Sequence, residues 1–341
     1  MSGVIEVQDL TKTFHPAQGW RSLLPGARHV TKKALAGVNL SIRKGEIFGV
    51  IGPNGAGKTT LFKIVTGLIL PDGGQVLIDG IDAIRFRRDA LKTVNMVYGD
   101  ERSFYWRLSL QENLRFYARL FGMSGRLAEV RIEELAELVG LEADLGTRMY
   151  AFSSGMKQRA AIARGLINDP TILLMDEPSR MLDPLAADDI QRLVRERVAD
   201  GHRTVLLATN LMGEAEDLCN RLTLIDGGTN VFTGTVSELR ARIVEDVAYR
   251  LHVAGTGHGW LDGLAAIPGV LKVETRSTAG GFHDLDIAIS PRNAVLALVI
   301  RYLVDRGIDI RSCTRLEPTL DQVFRQVVRQ RRVAPLEVVA N

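Results

Sequence analysis

Three runs of nearly unbroken apolar residues read as strands: EIFGVI at 46–51, TILLMD at 171–176 and TVLLAT at 204–209. In the second, four apolar residues stand directly ahead of the acidic pair Asp176 and Glu177, the pattern of a strand buried on both faces. TVLLAT runs into MGEAEDL, which reads as a helix with an acidic face, and Asn210 sits at the joint. Apolar residues recur at helical spacing in SLQENLRFYARLFG and RLAEVRIEELAELVGL, and Ser109 ahead of Gln111 and Glu112 marks a helix start. AFSSGMKQRAAIARGLINDP, 151–170, opens on a Ser-Ser-Gly run, and its periodic Ala, Ile and Leu residues predict a helix with an inward face.

Beyond GGTNVFTG the composition resets. Residues 246–331 predict strand (VAYRLHVA), helix (WLDGLAAI), strand (VLKVETR), strand (HDLDIAIS), helix (AVLALVIRYLVDRG), strand (IDIRSCTR) and helix (TLDQVFRQVV). The first six make the βαββαβ order of a ferredoxin-like sandwich. This stretch carries no metal or nucleophile pattern, and His252, His258 and His283 read as isolated, structural histidines. RQRRVAPLEVVAN reads as a frayed tail whose arginines could graze an anionic membrane. The predicted organisation is a first domain at 1–240, a second at 246–331 and a tail at 332–341.

Composition narrows the class. With 341 residues, 46% of them hydrophobic, the chain has ample material for one large core and a smaller one. Basic and acidic residues, 43 and 40, nearly cancel to a net charge of +3, so bulk charge makes no case for nucleic acid and none is expected as a partner. Two distant cysteines, Cys219 and Cys313, suit neither a disulfide framework nor a metal cluster and fit a reducing cytosol. MSGVIEVQDL lacks the basic and apolar regions of a signal peptide. No apolar run reaches the roughly 18 residues that span a bilayer. The best candidate, AVLALVIRYLV, is interrupted by Arg301 and reads as an amphipathic or core helix. If the chain works at a membrane, another chain crosses it.

The candidate chemistry begins with GPNGAGKTT at 52–60, between the strand EIFGVI and the helix TLFKIVTGL. That is the strand–loop–helix context of a P-loop. Gly52, Gly55 and Gly57 free the backbone to turn successive N–H groups inward, and the helix adds the positive end of its dipole. Lys58 is placed to reach the β- and γ-phosphates, and Thr59 to offer its hydroxyl to Mg²⁺. Pro53, Asn54, Ala56 and Thr60 complete the candidate nucleotide-binding loop. Asp176 is the expected metal-holding carboxylate. Side chains alternate along a strand, so Glu177 is expected to point differently and to take a proton from an attacking water, with a salt-bridge partner as the alternative reading. Ser153 and the helix it opens form a second anion site, which suggests a two-fold dimer with one chain's P-loop facing the other chain's serine helix.

Taken in order, these features resemble the ATP-binding cassette (ABC) ATPases: Phe14 in LTKTF, GPNGAGKTT, the segment at Asp100, FSSGMKQR, ILLMDEP, LDP at 182–184 and the joint at Asn210. The resemblance spans about residues 4–235. FSSGMKQR together with an extension ending in PTLDQVF is similar to the ATPase subunits of prokaryotic ABC-2-type exporters, which pair with separate membrane permeases. The implied fold is an α/β P-loop ABC ATPase core with a helical subdomain at about 101–165, plus a small C-terminal α+β ferredoxin-like domain. The implied activity is ATP hydrolysis with Mg²⁺, powering export through a separate permease. Closure of a homodimer, or of a pair with another ABC subunit, would drive it at the cytoplasmic face of the membrane. Phe14 would stack on adenine, Ser153 and Gly155 would contact the γ-phosphate across the dimer, and Asp183 would help align the two chains. A soluble ABC protein acting on ribosomes or DNA is the rival; one P-loop with one signature, and no sustained heptads, argues against it.

Four segments depart from the family pattern, at six residues. Ser154 and Met156 replace Gly and Gln in the signature, where helix-end N–H groups carry the binding. SRMLD places Arg180 and Met181 where small residues are usual; Arg180 either reaches across the dimer or faces solvent. Asp100 stands in the usual place of a Gln that touches Mg²⁺ and the attacking water; it is a good hard-cation ligand but shorter and charged. Asn210 stands where a histidine normally bonds the γ-phosphate. It offers an NH₂ donor but no positive charge. Losing an aimed donor costs about 100- to 1000-fold in rate, and a retained neutral donor costs less. Slow hydrolysis is the expectation, with nucleotide binding and weak hydrolysis as the alternative. Residues 101–150 are by resemblance the piece on which a permease docks. The aromatics of SFYWRL at 103–108 serve either as interface anchors or as a local core. The insert at 15–33 reads as a solvated loop, with lipid or permease contact as the alternative.

Overall fold

The computed structural model describes residues 3–15, 31–98, 104–199, 201–241, 247–254, 259–277, 282–290, 295–316 and 319–333. Asp100, most of the insert at 15–33, His258 and residues 334–341 therefore lie outside the described residues. Contacts divide the chain into two units, Met1–Val236 and Ser237–Asn341. The predicted boundary at 240 falls inside the helix Val236–Ala241.

Among its described residues the first unit carries ten strands: β1 (Ile5–Phe14), β2 (Lys32–Ile42), β3 (Ile47–Ile51), β4 (Gly73–Ile78), β5 (Ile81–Asp82), β6 (Val94–Tyr98), β7 (Ile172–Asp176), β8 (Thr204–Thr209), β9 (Arg221–Asp226) and β10 (Thr229–Gly234). They form a four-stranded sheet, β2-β1-β4-β5, and a six-stranded sheet, β10-β9-β3-β8-β7-β6. The first is antiparallel throughout. In the second, β9, β3, β8, β7 and β6 run parallel, and β10 closes the edge as an antiparallel hairpin with β9.

The near-continuous apolar runs are explained by what covers each face of the parallel sheet. Leu173, Met175, Val205 and Leu207 pack into a core shared with helices Leu110–Leu120, Gly125–Val139 and Ser154–Gly165. Their alternates Ile172, Leu174, Leu206 and Ala208 pack into a second core with the antiparallel sheet and the helix Lys58–Val65. Ser109 caps Leu110–Leu120 through a capping box with Glu112, as the sequence predicts. The fully buried Asn113 accepts from the Tyr105 N–H and donates to the Tyr105 and Ser109 carbonyls, fixing the loop before that helix. The aromatics of this loop divide: Phe104 is buried in the core, while Tyr105 and Trp106 remain exposed.

The second unit carries β11 (Val247–Ala254), β12 (Val270–Ser277), β13 (Phe282–Ile289) and β14 (Asp309–Leu316) in one antiparallel sheet of order β12-β13-β11-β14. With helices Leu261–Ala265 and Val295–Val304 this is the predicted ferredoxin-like arrangement. Leu251, Val253, Leu285 and Ile287 face those helices. His252 is not isolated as the sequence suggests. Its Nδ1 lies 2.7 Å from the Asp284 carboxylate and its ring stacks on Phe282, while Arg250 makes two 2.7 Å bonds to Asp286. Strand pairing across the open face brings these partners together, and spacing along the chain hides them. The final helix runs Leu320–Val333, so the first residues of the predicted tail are helical. Among the described residues no helix is long and apolar enough to cross a membrane.

Cys219 closes the helix Met212–Leu218 in the first unit, with its Sγ against Gly49 of β3, and burial pushes its thiol far up. Cys313 is exposed on β14.

Candidate active site

The parallel strands end at one edge of the sheet, where α/β folds bind ligands. β3 ends at Ile51 and delivers the glycine-rich loop. A Cβ at Gly52 would collide with the Ile225 carbonyl of β9, and Gly57 has φ 115° with the Ala34 carbonyl 2.5 Å from where a Cβ would stand. Both positions therefore require glycine. The helix Lys58–Val65 starts without a side-chain cap or an acidic first turn, which leaves its first N–H groups free for an anion. Lys58 is 5% exposed. Its Nζ donates to the Gly52 carbonyl at 2.7 Å and to that of Pro53 at 3.2 Å. Burial pulls its ammonium below the ordinary lysine value, and Glu177 and Asp176 oppose that shift.

Asp176 is the last residue of β7, level with Tyr98 of β6 and Ala208 of β8. Burial pushes its carboxyl above the ordinary range, against a hydrogen bond from the Thr59 side chain. Its Oδ1 has no partner among the described residues. A buried, orphaned carboxylate oxygen beside a hydroxyl is a pair of hard ligands that suits Mg²⁺.

Glu177 is aimed by its backbone and not by strand alternation. It leaves β7 with φ 51°, and its N–H donates to the Ala208 carbonyl at 2.8 Å. One carboxylate oxygen accepts from Arg180 Nη1 at 2.8 Å, so Arg180 pairs within its own chain. Asn210 follows β8, and its Nδ2 donates to Asn54 Oδ1 of the glycine-rich loop at 3.3 Å. The helix after it does not present a purely acidic surface: Glu214 is 3% exposed and turned inward.

Phe14, Asn54, Gly55, Gly57, Lys58, Thr59, Thr60, Asp176 and Glu177 line one cleft of 1030 Å³. Gly52, Pro53 and Ala56 lie in the same loop without lining it, and Asn210 touches the loop from outside. Ser153, Gly155 and Asp183 are not on the cleft wall, although Ser154, Lys157 and Gln158 are. Ser153 caps its helix by accepting the Met156 N–H, and Asp183 caps Pro184–Leu193 by accepting the Ala186 N–H. Lys32 also lines the cleft, a residue that sequence reasoning passed over. Only the β1–β2 register, which sets Lys32 opposite Phe14, reveals it.

Residues 35–180 match the ABC transporter family, and residues 234–328 match the C-terminal domain of DrrA1-3-like ATP-binding proteins. The chain is 33% identical over 298 residues to the daunorubicin resistance ATP-binding protein DrrA3 of Streptomyces coeruleorubidus, spanning 87% of this chain and 92% of that one. The chain belongs to the ABC transporter family. This ABC protein is also 30% identical over 293 residues to the linearmycin resistance ATP-binding protein LnrL of Bacillus subtilis, with coverage of 86% and 93%. Among solved structures, a dimeric ATP-binding cassette in a post-hydrolysis state, bound to ADP and Pi, superposes with a TM-score of 0.58 at 26% identity, covering 68% of this chain and 98% of that one. An ABC cassette followed by a DrrA-like domain is the build of ABC-2-type exporter ATP-binding proteins, so the chain is an ATP-binding subunit of the ABC ATPase family.

Proposed function

We propose that this ABC ATPase hydrolyses ATP at the cleft to drive export through a separate membrane permease. Two cassettes close on two nucleotides at the cytoplasmic face of the membrane and reopen after hydrolysis. The observation that carries the reading is the convergence of Lys58, Thr59, Asp176 and Glu177 on one cleft at the carboxyl edge of a parallel sheet. Phe14 at the cleft rim stacks on the adenine, and the loop N–H groups and Lys58 take the phosphates. Lys58 exchanges the Gly52 and Pro53 carbonyls for phosphate oxygens. Thr59 and Asp176 would hold Mg²⁺, which would neutralise charge on the terminal phosphates. The Glu177 carboxylate accepts a proton as water oxygen bonds to the γ-phosphorus. The bond to the β–γ bridging oxygen breaks, giving ADP and phosphate. Asn210 donates to the γ-phosphate after giving up Asn54. Ser153, Gly155 and Asp183 act across the dimer, and Asp100 would supply a further carboxylate ligand to the metal.

A second reading, nucleotide binding with weak hydrolysis, has one observation in its favour: the Asn210 amide is already engaged by Asn54. Mg²⁺-dependent ATP turnover by the full chain separates the two. Under the first reading the native chain turns over, Glu177→Gln abolishes turnover, and Asn210→His raises it by up to about ten-fold, below the full cost of a missing donor. A silent native chain that gains activity only as Asn210→His establishes the second.

A further inference from the structure

One buried carboxyl has no part in the chemistry above. Glu214 lies in the first turn of the helix Met212–Leu218. Its Oε1 accepts from Ser179 Oγ at 2.5 Å, and its Oε2 is buried with no hydrogen-bond partner among the described residues. At the joint itself, the Thr209 hydroxyl accepts the Leu211 N–H at 3.0 Å. Ser179 and Thr209 are as enclosed as Glu214, at 3% and 1% exposed. Ser179 stands two residues after Glu177, and Thr209 directly precedes Asn210. Burial pushes the Glu214 carboxyl above its ordinary range, the mark of a group held away from water. An apolar side chain would fill the space without that desolvation cost. What the carboxyl adds is a hydrogen bond between the helix that follows Asn210 and the loop that follows Glu177.

We propose that Glu214 is a positioning residue for ATP hydrolysis: by accepting a hydrogen bond from Ser179 it ties the helix that follows Asn210 to the loop that follows Glu177. This rests on the reading that Glu177 and Asn210 act at the terminal phosphate. A reactive group misplaced by about 1 Å costs about 100-fold in rate, while the nucleotide's binding contacts lie elsewhere in the cleft.

The test is steady-state turnover of the full chain over a range of Mg²⁺-ATP concentrations, beside ATP affinity by titration calorimetry. Glu214→Ala is expected to lower kcat by about 10- to 100-fold, with KM and ATP affinity within about two-fold of native. Glu214→Gln keeps an acceptor for Ser179 and is expected to recover to within about five-fold of native. Ser179→Ala lowers kcat on its own and adds little in the Glu214→Ala chain, because the two changes break one contact. Should Glu214→Ala not fold, Ser179→Ala decides: a fall in kcat at constant KM supports the link, and an unchanged kcat overturns it. Native kcat in Glu214→Ala, or a parallel loss of ATP affinity, overturns the inference and leaves the reading beneath it intact if Glu177→Gln is silent. Turnover that survives Glu177→Gln, or a native chain without turnover, overturns both.

Discussion

Arg180 and Glu177 meet at 2.8 Å in a pair that is open on one side: the arginine side chain is 63% exposed and the glutamate 14%. The contact occupies an oxygen that the proposed mechanism needs for water. An ion pair with one partner in solvent is worth at most about 1 kcal/mol, or about five-fold in rate. Arg180→Ala is therefore expected to raise turnover of the isolated chain by about two- to five-fold, read as kcat at saturating ATP. A fall in kcat would instead mean that the arginine orients the base. The sequence leaves a salt bridge at Glu177 open as the alternative reading but does not show that Arg180 is the partner. Glu177 followed a strand and was expected to obey its alternation, whereas a left-handed φ of 51° turns the chain toward Arg180. Lys58, Thr59 and Asp176 were legible because each is tied to a pattern of its own: a glycine-rich loop, a helix start, and an apolar run ending in a carboxylate. Ser153 and Asp183 were legible as residue types, but in the free chain each serves as a helix cap.

At the level of the element, the helix Met212–Leu218 shows how a correct helix can be misread in its facing. Glu214, Glu216 and Asp217 together suggest an acidic surface, yet Glu214 is buried and Asp217 exposed. Seven residues are too few for periodicity to fix which side faces inward, and the Ser179 partner lies 35 positions away. The burial has a consequence for stability. Because the folded carboxyl binds its proton more tightly than the unfolded one, the folded state is favoured most below the ordinary glutamate value of about 4.3. That contribution is lost as pH rises through the raised folded value. Glu214→Gln removes the titration. Its thermal midpoint is expected to gain on that of the native chain as pH rises above the ordinary glutamate value, measured by calorimetry in matched buffers. A difference independent of pH would show that Glu214 titrates normally. The long strands were easier: β7 and β8 are apolar on alternate positions toward two different cores, and a both-faces pattern needs no facing decision.

For the whole molecule, the two-part plan was legible because composition and periodicity change together after Gly234, and β10 ends at that residue. What the plan withheld was pairing across strands. The His252–Asp284 and Arg250–Asp286 contacts join β11 to β13 over more than 30 positions. The insert ahead of β2 likewise separates Lys32 from Phe14 in sequence while the hairpin register brings them together. Each unit also holds one cysteine, Cys219 in the first and Cys313 in the second. The unequal shelter of these thiols gives the chain two built-in chemical clocks. A small alkylating reagent near pH 8 is expected to consume one thiol per chain quickly, at Cys313, and the partly buried Cys219 far more slowly, at a rate that rises as the first unit opens. Peptide mass spectrometry of timed samples reads both rates in one tube, and rapid loss of both thiols in native buffer would contradict the burial of Cys219. Run with and without Mg²⁺-ATP, the slow clock times how firmly a bound nucleotide holds the first unit shut, with no mutation, dye or tag added to the chain.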